Sequence, residues 1–345
     1  MSLLPRSCSI WLQQTAGIAL CLLLVTLMPA TARGSEPLVV YSARNEQLIK
    51  PLFDAYTRET GVPIRYITGD AAVLTQRLAA EGRSTPADVL MTVDAGELWN
   101  AADRGLLRPL SSSVLDANVP ASLRDPQRRW FGLSQRARTI FYAPGRVDPR
   151  QLSSYEALAA PQWKGRLCLR TSKKVYNQSL VAMLIAAEGE AGTERIVRGW
   201  VANLAAPPFA NDNQVLEAIA AGQCDVGIVN TYYYGRILRD RPDFPVKPFW
   251  ADQGGSGVHV NVSGAGVTRH SRRPAEAQRL LEWLSSGNAQ QQFAALNMEY
   301  PVNPAIRTDA LVQSWGVFRA SPLNVAEAGR LQPAAVRLMD RAGYR

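Results

Sequence analysis

Histidine and cysteine are scarce in this 345-residue chain, with two of the first and four of the second, and that scarcity removes several chemistries. His259 and His270 stand apart from any Gly-x-Ser-x-Gly or free-cysteine context, so neither is placed to serve a nucleophile as its base. Two histidines and the cysteines have no zinc-ligand spacing. Gly-x-Gly-x-x-Gly and Walker loops are absent, which argues against nucleotide use; Gly254-Gly255-Ser256-Gly257 reads as a flexible turn. Nothing singles out a carboxylate pair for glycoside chemistry. The chain reads as a non-enzyme. It also lacks long single-sign charge runs, low-complexity segments and any internal repeat. No apolar run reaches the roughly 20 residues of a membrane-spanning helix.

What is present begins with an export signal. Arg6 precedes an apolar stretch from Ile18 to Met28, and Ala30-Thr31-Ala32 has the small-x-small form of a signal-peptidase site. Residues 1–32 are therefore expected to be removed and the mature protein to reside in the periplasm. Cys21 follows Leu20 inside the apolar stretch, a poor context for lipidation. Losing Arg6 leaves 37 basic against 29 acidic residues, a formal charge of +8. The scattered charges suit a soluble protein that attracts a small anionic ligand, not one that binds nucleic acid.

Cys8 and Cys21 leave with the leader, so Cys168 and Cys224 are the mature pair. In an oxidising compartment they are expected to form a disulfide. Each lies in a short apolar segment that reads as a strand, so the bond would join neighbouring strands.

From Leu38 onward, β-rich runs alternate with helical spacing. Leu38–Ser42, Pro63–Ile67 and Ala87–Thr92 read as strands; helices through Leu48, Leu52 and Tyr56, and through Leu74 and Leu78, end at Gly61 and Gly82. This order implies a parallel sheet covered by helices. Two long extended segments follow, Trp130–Ala143 and Gly257–Val267. Helices are expected at Asn177–Ala187, Thr193–Leu204, Gln214–Ala221, Pro274–Leu284, Ala289–Leu296 and Val325–Met339. Two α/β regions joined by two extended crossings suggest two lobes with a hinge.

The run Asn230-Thr231-Tyr232-Tyr233-Tyr234-Gly235-Arg236 is unusual. Three adjacent rings cannot share one packing face on a strand or a helix, but two can converge if the chain bends into a helix start after Asn230-Thr231. A tyrosine-rich rim and a site for a hard, oxygen-seeking ligand both fit that spacing.

The segments Val40-Tyr-Ser-Ala-Arg-Asn45, Ser84-Thr-Pro-Ala-Asp-Val-Leu90, Trp130-Phe-Gly-Leu133, Tyr176-Asn-Gln-Ser-Leu180, Asn230-Thr-Tyr-Tyr233 and His259-Val-Asn-Val-Ser-Gly264 resemble those of periplasmic ferric-iron-binding proteins, substrate-binding components of iron(III) ABC transporters. The similarity runs in order along nearly the whole mature chain. It implies a type II, two-lobed α/β binding protein, each lobe a mixed sheet flanked by helices. Lobe 1 would comprise residues 33–134 plus 264–305, and lobe 2 residues 135–263 plus 306–345. It also implies a monomer that captures Fe(III) and delivers it to an inner-membrane permease driven by a cytoplasmic ATPase. By motif, Tyr176, Tyr232 and Tyr233 are the phenolate ligands, and Tyr234 is left to packing.

The first-lobe loop departs from the pattern, because Asn45 and Glu46 stand where relatives often carry His-Tyr. Glu46 could offer a carboxylate ligand or sit solvated at a helix start. Arg136 and Arg138, two residues apart on the first crossing, are candidates to hold a synergistic anion such as carbonate, or to brace the hinge by ion pairing. Asn177 and Ser179 are candidate caps for the helix after Tyr176. Loss of the His-Tyr pair keeps a same-fold binding protein for a ferric chelate, an organic anion or a polyamine as the alternative. A sensor subunit presenting the same closed surface is a third class.

Overall fold

The computed structural model describes residues 36–345; the expected leader lies outside the described residues. The elements run β1 (Leu38–Ser42), α1 (Glu46–Thr60), β2 (Ile64–Thr68), α2 (Ala71–Glu81), β3 (Val89–Thr92), α3 (Ala95–Asp103), α4 (Ser113–Asn118) and β4 (Phe131–Tyr142). Next come β5 (Leu167–Cys168), α5 (Val175–Ala202), α6 (Asp212–Ala220), β6 (Val226–Asn230), α7 (Thr231–Asp240), β7 (Lys247–Phe249) and β8 (Val260–Val267). The chain closes with α8 (Pro274–Leu284), α9 (Gly287–Ala295), β9 (Tyr300–Pro301), α10 (Ala310–Gln313), α11 (Glu327–Arg330) and α12 (Gln332–Arg341).

Local chemistry sets many of these boundaries. Gly61 ends α1 in the left-handed conformation, with φ 71° and its amide on the Thr57 carbonyl. The Asp70 carboxylate caps α2 by accepting from the Ala72 and Val73 amides, and Asn211 with Gln214 forms a capping box at α6. The two helices expected at Asn177–Ala187 and Thr193–Leu204 run on as α5, broken at Gly189, whose φ of 75° is non-helical. The single helix expected over Val325–Met339 is instead α11 and α12. Pro333, in the first turn of α12, has no amide hydrogen to donate back into α11.

The sheet order is β2-β1-β3-β8-β4-β6-β5, with β7 and β9 also paired to β4. As expected, β1 lies parallel to both β2 and β3. The long crossings break that pattern: β8 is antiparallel to β3 and β4. Strand β4 changes partners along its length. Residues from Phe131 to Ala137 pair with β8, and Arg138 to Tyr142 pair with β6. Tyr155 ties the two crossings together, since its hydroxyl donates to the Arg138 carbonyl (2.5 Å) and accepts from the His259 amide (3.1 Å). The core beneath includes fully buried Trp130, Trp163, Trp200 and Phe131. Cys168 and Cys224 form the expected disulfide, Cα–Cα 5.9 Å. It joins β5 to the residues leading into β6.

This layout positions the site. Strand β6 runs without a linker into α7, so Tyr232 and Tyr233 sit in the first turn of a helix held at a strand's C-terminal end. The start of α5, at Tyr176, lies beside it. The loop after β1 and the residue after β3 face both.

Candidate metal centre

Tyr176, Tyr232 and Tyr233 line one cavity of about 210 Å³. Two elements supply them, α5 for the first and α7 for the pair. The Tyr232 and Tyr233 rings lie 4.3 Å apart at 31°, while Tyr234, about 100° further round the helix, turns away and packs on Phe141 and Trp315. The bend into a helix after Asn230-Thr231 is therefore present. Its mechanism differs from the expected cap: the Asn230 side chain makes no cap hydrogen bond, and the Asn230 amide is held by the Asp212 carboxylate at 3.1 Å.

Burial raises the pKa of the Tyr176 and Tyr232 phenols. It pushes Tyr176 up to about 12, helped by neighbouring Tyr233 and opposed by Arg136 and a hydrogen bond from Tyr232. Tyr232 is pushed well above the usual 10, first by burial and then by the other two phenols, again opposed by Arg136. These surroundings favour the neutral forms of Tyr176 and Tyr232. A multivalent cation reverses the balance, because its charge stabilises the phenolate at close range.

Cations ring the cavity. Arg44, Arg136, Lys174 and Arg236 line it against a single carboxylate, Glu299. Arg136 and Lys174 stand 5.4 and 5.3 Å from the Tyr176 ring centre, and Arg236 stands 5.2 Å from that of Tyr232. Two guanidiniums keep a spare donor: Arg136 Nη1 and Arg44 Nε are buried without a hydrogen-bond partner. Besides its approach to the Tyr176 ring, Arg136 makes a long contact to Asp94, 3.5 Å. Arg44 is fixed by Glu299 at 3.0 Å, and the Ser134 hydroxyl donates to the same carboxylate oxygen at 2.6 Å.

Of the alternatives left open, Arg138 takes the ion pair and Glu46 the exposed helix start, and the cap expectation for Asn177 and Ser179 meets a different geometry. Arg138 does not line the cavity. Its guanidinium is buried on Asp212 (2.9 Å), the Asn177 side-chain oxygen (2.6 and 3.0 Å) and the Ile228 carbonyl (3.1 Å), so no donor faces an anion. Although Arg136 and Arg138 are two residues apart, β4 changes partners between them, and they enter different surroundings. Glu46 also points elsewhere, accepting from the Tyr66 hydroxyl at 2.8 Å; Asn45, its neighbour, does line the cavity. Asn177 and Ser179 are not caps, since Lys174 occupies the cap position. Asn177 instead joins Arg138 to the Arg170 carbonyl, and Ser179 donates to the Asp94 carboxylate at 2.9 to 3.0 Å.

Sequence reasoning missed Arg44, Lys174, Arg236 and Glu299. Two signals were available: Arg44 sits within the Val40–Asn45 segment, and Arg236 lies one helical turn after Tyr232. Lys174 and Glu299 had no pattern to mark them.

A larger cavity, about 570 Å³, lies alongside and shares Lys174, but no phenol lines it. Among the described residues, no group of three or more His, Cys, Asp and Glu side chains could hold a metal ion.

Residues 38–295 match the model of the bacterial extracellular solute-binding protein family. The chain belongs to that family. Among the relatives of this solute-binding protein is Iron uptake protein A1 of Synechocystis, 40% identical over 91% of this chain and 89% of its own. A Trichodesmium protein solved in complex with iron and citrate superposes with a TM-score of 0.86 at 41% identity, covering 90% of this chain and 100% of that one. The ferric iron-binding protein A of Mannheimia haemolytica, solved in an open conformation, gives 0.83 at 35% identity, over 90% and 99%. The two-lobed α/β fold of ferric-binding periplasmic proteins, a mixed sheet flanked by helices, is the fold of this chain. These relatives are binding and transport proteins. Among the described residues, no helix is long and apolar enough to cross a membrane.

Proposed function

We propose that this protein captures ferric iron in the periplasm and delivers it, as a monomer, to an inner-membrane ABC permease with its cytoplasmic ATPase. The convergence of Tyr176, Tyr232 and Tyr233 on one cation-ringed cavity carries the reading. Fe(III) prefers anionic oxygen, and three phenolates neutralise it. The reading assigns those tyrosines as ligands and leaves Asn45 or water to approach from the facing wall. Glu46, engaged with Tyr66, is set aside.

A synergistic anion such as carbonate would complete the sphere, held by the spare donors of Arg136 and Arg44. Lobe boundaries at residues 134/135 and 263/264 belong to this scheme and fall within β4 and β8; β4 is the strand that pairs in both sheet regions among those described, with β8 up to Ala137 and with β6 from Arg138. Closure would be a hinge motion about them.

A polyamine cargo is disfavoured by four lining cations against one carboxylate. A ferric chelate remains as the second reading, favoured by the adjoining larger cavity that shares Lys174; the Trichodesmium relative was solved with citrate beside iron.

Titration of the purified protein with ferric citrate or ferric carbonate tests the reading. A visible phenolate-to-iron absorption band should develop at one iron per chain and be lost in the Tyr232→Phe, Tyr233→Phe double variant, while Glu46→Gln keeps it. Isotopically labelled citrate retained with the iron would select the chelate. Absence of both band and bound iron would defeat the proposal.

A further inference from the structure

Behind the three tyrosines stands an arginine that does not line the cavity and that the ligand scheme does not use. Arg170, in the segment after β5, is 7% exposed. Its Nη1 donates to the Tyr233 hydroxyl at 3.3 Å, and its guanidinium carbon lies 5.5 Å from the Tyr176 ring centre. It therefore touches one candidate ligand from α7 and one from α5. Both its ends are anchored. Nε donates to the Ala210 carbonyl at 3.1 Å, and Asp212 lies 3.8 Å from Nη1. The Arg170 carbonyl accepts from Asn177 Nδ2 at 2.8 Å and from the Tyr344 hydroxyl at 2.5 Å.

We propose that Arg170 is a positioning residue of the iron site: it bridges the two tyrosine-bearing helices and donates from behind to the phenolate oxygen of Tyr233 in the ferric complex. The inference rests on the ferric reading above. A phenolate bound to iron retains a lone pair that can accept a hydrogen bond. Such a bond fixes the rotation of the ring about its axis and draws electron density from the oxygen, which raises the energy of the phenolate-to-iron transition. Only a planar fork can hold Ala210 and Tyr233 together from this place; a lysine, with one point of donation, would have to abandon one of them. Lys174 and Arg136 also approach the ring of Tyr176, at 5.3 and 5.4 Å from its centre, yet neither has a hydrogen bond to a phenol among those seen here.

The test compares wild type, Arg170→Met and Arg170→Gln, each loaded with ferric carbonate, with and without Tyr233→Phe. Circular dichroism monitors the fold, and if the glutamine variant does not fold the methionine variant, which has no donor, decides. The expected result is a band displaced to longer wavelength and iron release to a competing chelator about tenfold faster, the size of one lost hydrogen bond to a charged oxygen. In the Tyr233→Phe background, substituting Arg170 should produce no further displacement. An unmoved band in the folded Arg170 variants, or the same displacement with and without the Tyr233 hydroxyl, overturns the proposal. A wild-type protein that develops no band overturns the ferric reading itself.

Discussion

At the scale of single residues, what a side chain does here is set by which neighbour reaches it first. Arg136 and Arg138 look equivalent in sequence. In the structure Arg138 is consumed by a buried ion pair with Asp212, while Arg136 keeps a free donor at the cavity. Their substitutions should therefore separate. Arg138→Gln leaves Asp212 without this partner and is expected to cost about 3–5 kcal/mol in urea unfolding; Arg136→Gln removes a longer contact to Asp94, which Ser179 and Asn261 also hold, and should cost less while weakening the dependence of iron binding on added carbonate. His259 gives a pH prediction. Burial, then Arg136 and Arg138, hold its imidazole down at about 3 from 6.5. The unfolded chain takes up the proton first, so the stability contributed by a neutral His259 is full above pH 6.5 and is lost as pH falls from 6.5 toward 3. The difference in urea midpoint between wild type and His259→Gln should shrink steadily over that range. The tyrosine run stood out in the sequence because three adjacent phenols have no common packing face, but spacing left a rim and a ligand site both open, and the choice of Tyr176, Tyr232 and Tyr233 as candidate ligands came from the family resemblance. The fate of Glu46 was not legible, since it depends on Tyr66, twenty residues away on β2.

Elements carry the tyrosines to one place. The strand-to-helix junction at Asn230 aims Tyr232 and Tyr233, and α7 can hold that aim only because Gly235 lets it approach its neighbours closely. A Cβ there would stand 2.7 Å from the Met298 Cβ and 2.9 Å from the Trp315 ring. Gly235→Ala is thus expected to push α7 outward, at a cost of about 1–3 kcal/mol, and to speed iron release measured against a chelator. Elements with strong periodicity or a glycine stop, α1 and α2 among them, could be read from the chain. So could the disulfide, from its odd pair of mature cysteines in an exported protein. The helix α3 was not anticipated, nor were β7 and β9, two strands of three and two residues that exist only through pairing with β4. The antiparallel placement of β8 between β3 and β4 is likewise a long-range fact. Local pattern shows that Gly257–Val267 is extended but says nothing of its partners.

For the whole molecule, a two-lobed fold, an expected export signal and a phenol triad together suit a carrier for a trivalent cation. Phenols are neutral from pH 5 to 8, and burial pushes Tyr176 and Tyr232 further above the usual 10, so binding iron as phenolates must expel protons and should strengthen as pH rises; iron affinity measured from pH 5 to 8 is expected to increase throughout. The fold alone does not fix the cargo, which is decided by the handful of oxygens at the cavity. Resonance Raman spectroscopy of the ferric-loaded protein, excited within its visible band, tests that claim most directly. The account predicts enhanced tyrosinate ring modes that weaken in Tyr176→Phe and vanish in the Tyr232→Phe, Tyr233→Phe double variant; bound iron with no tyrosinate modes, or modes unchanged by those substitutions, would contradict it.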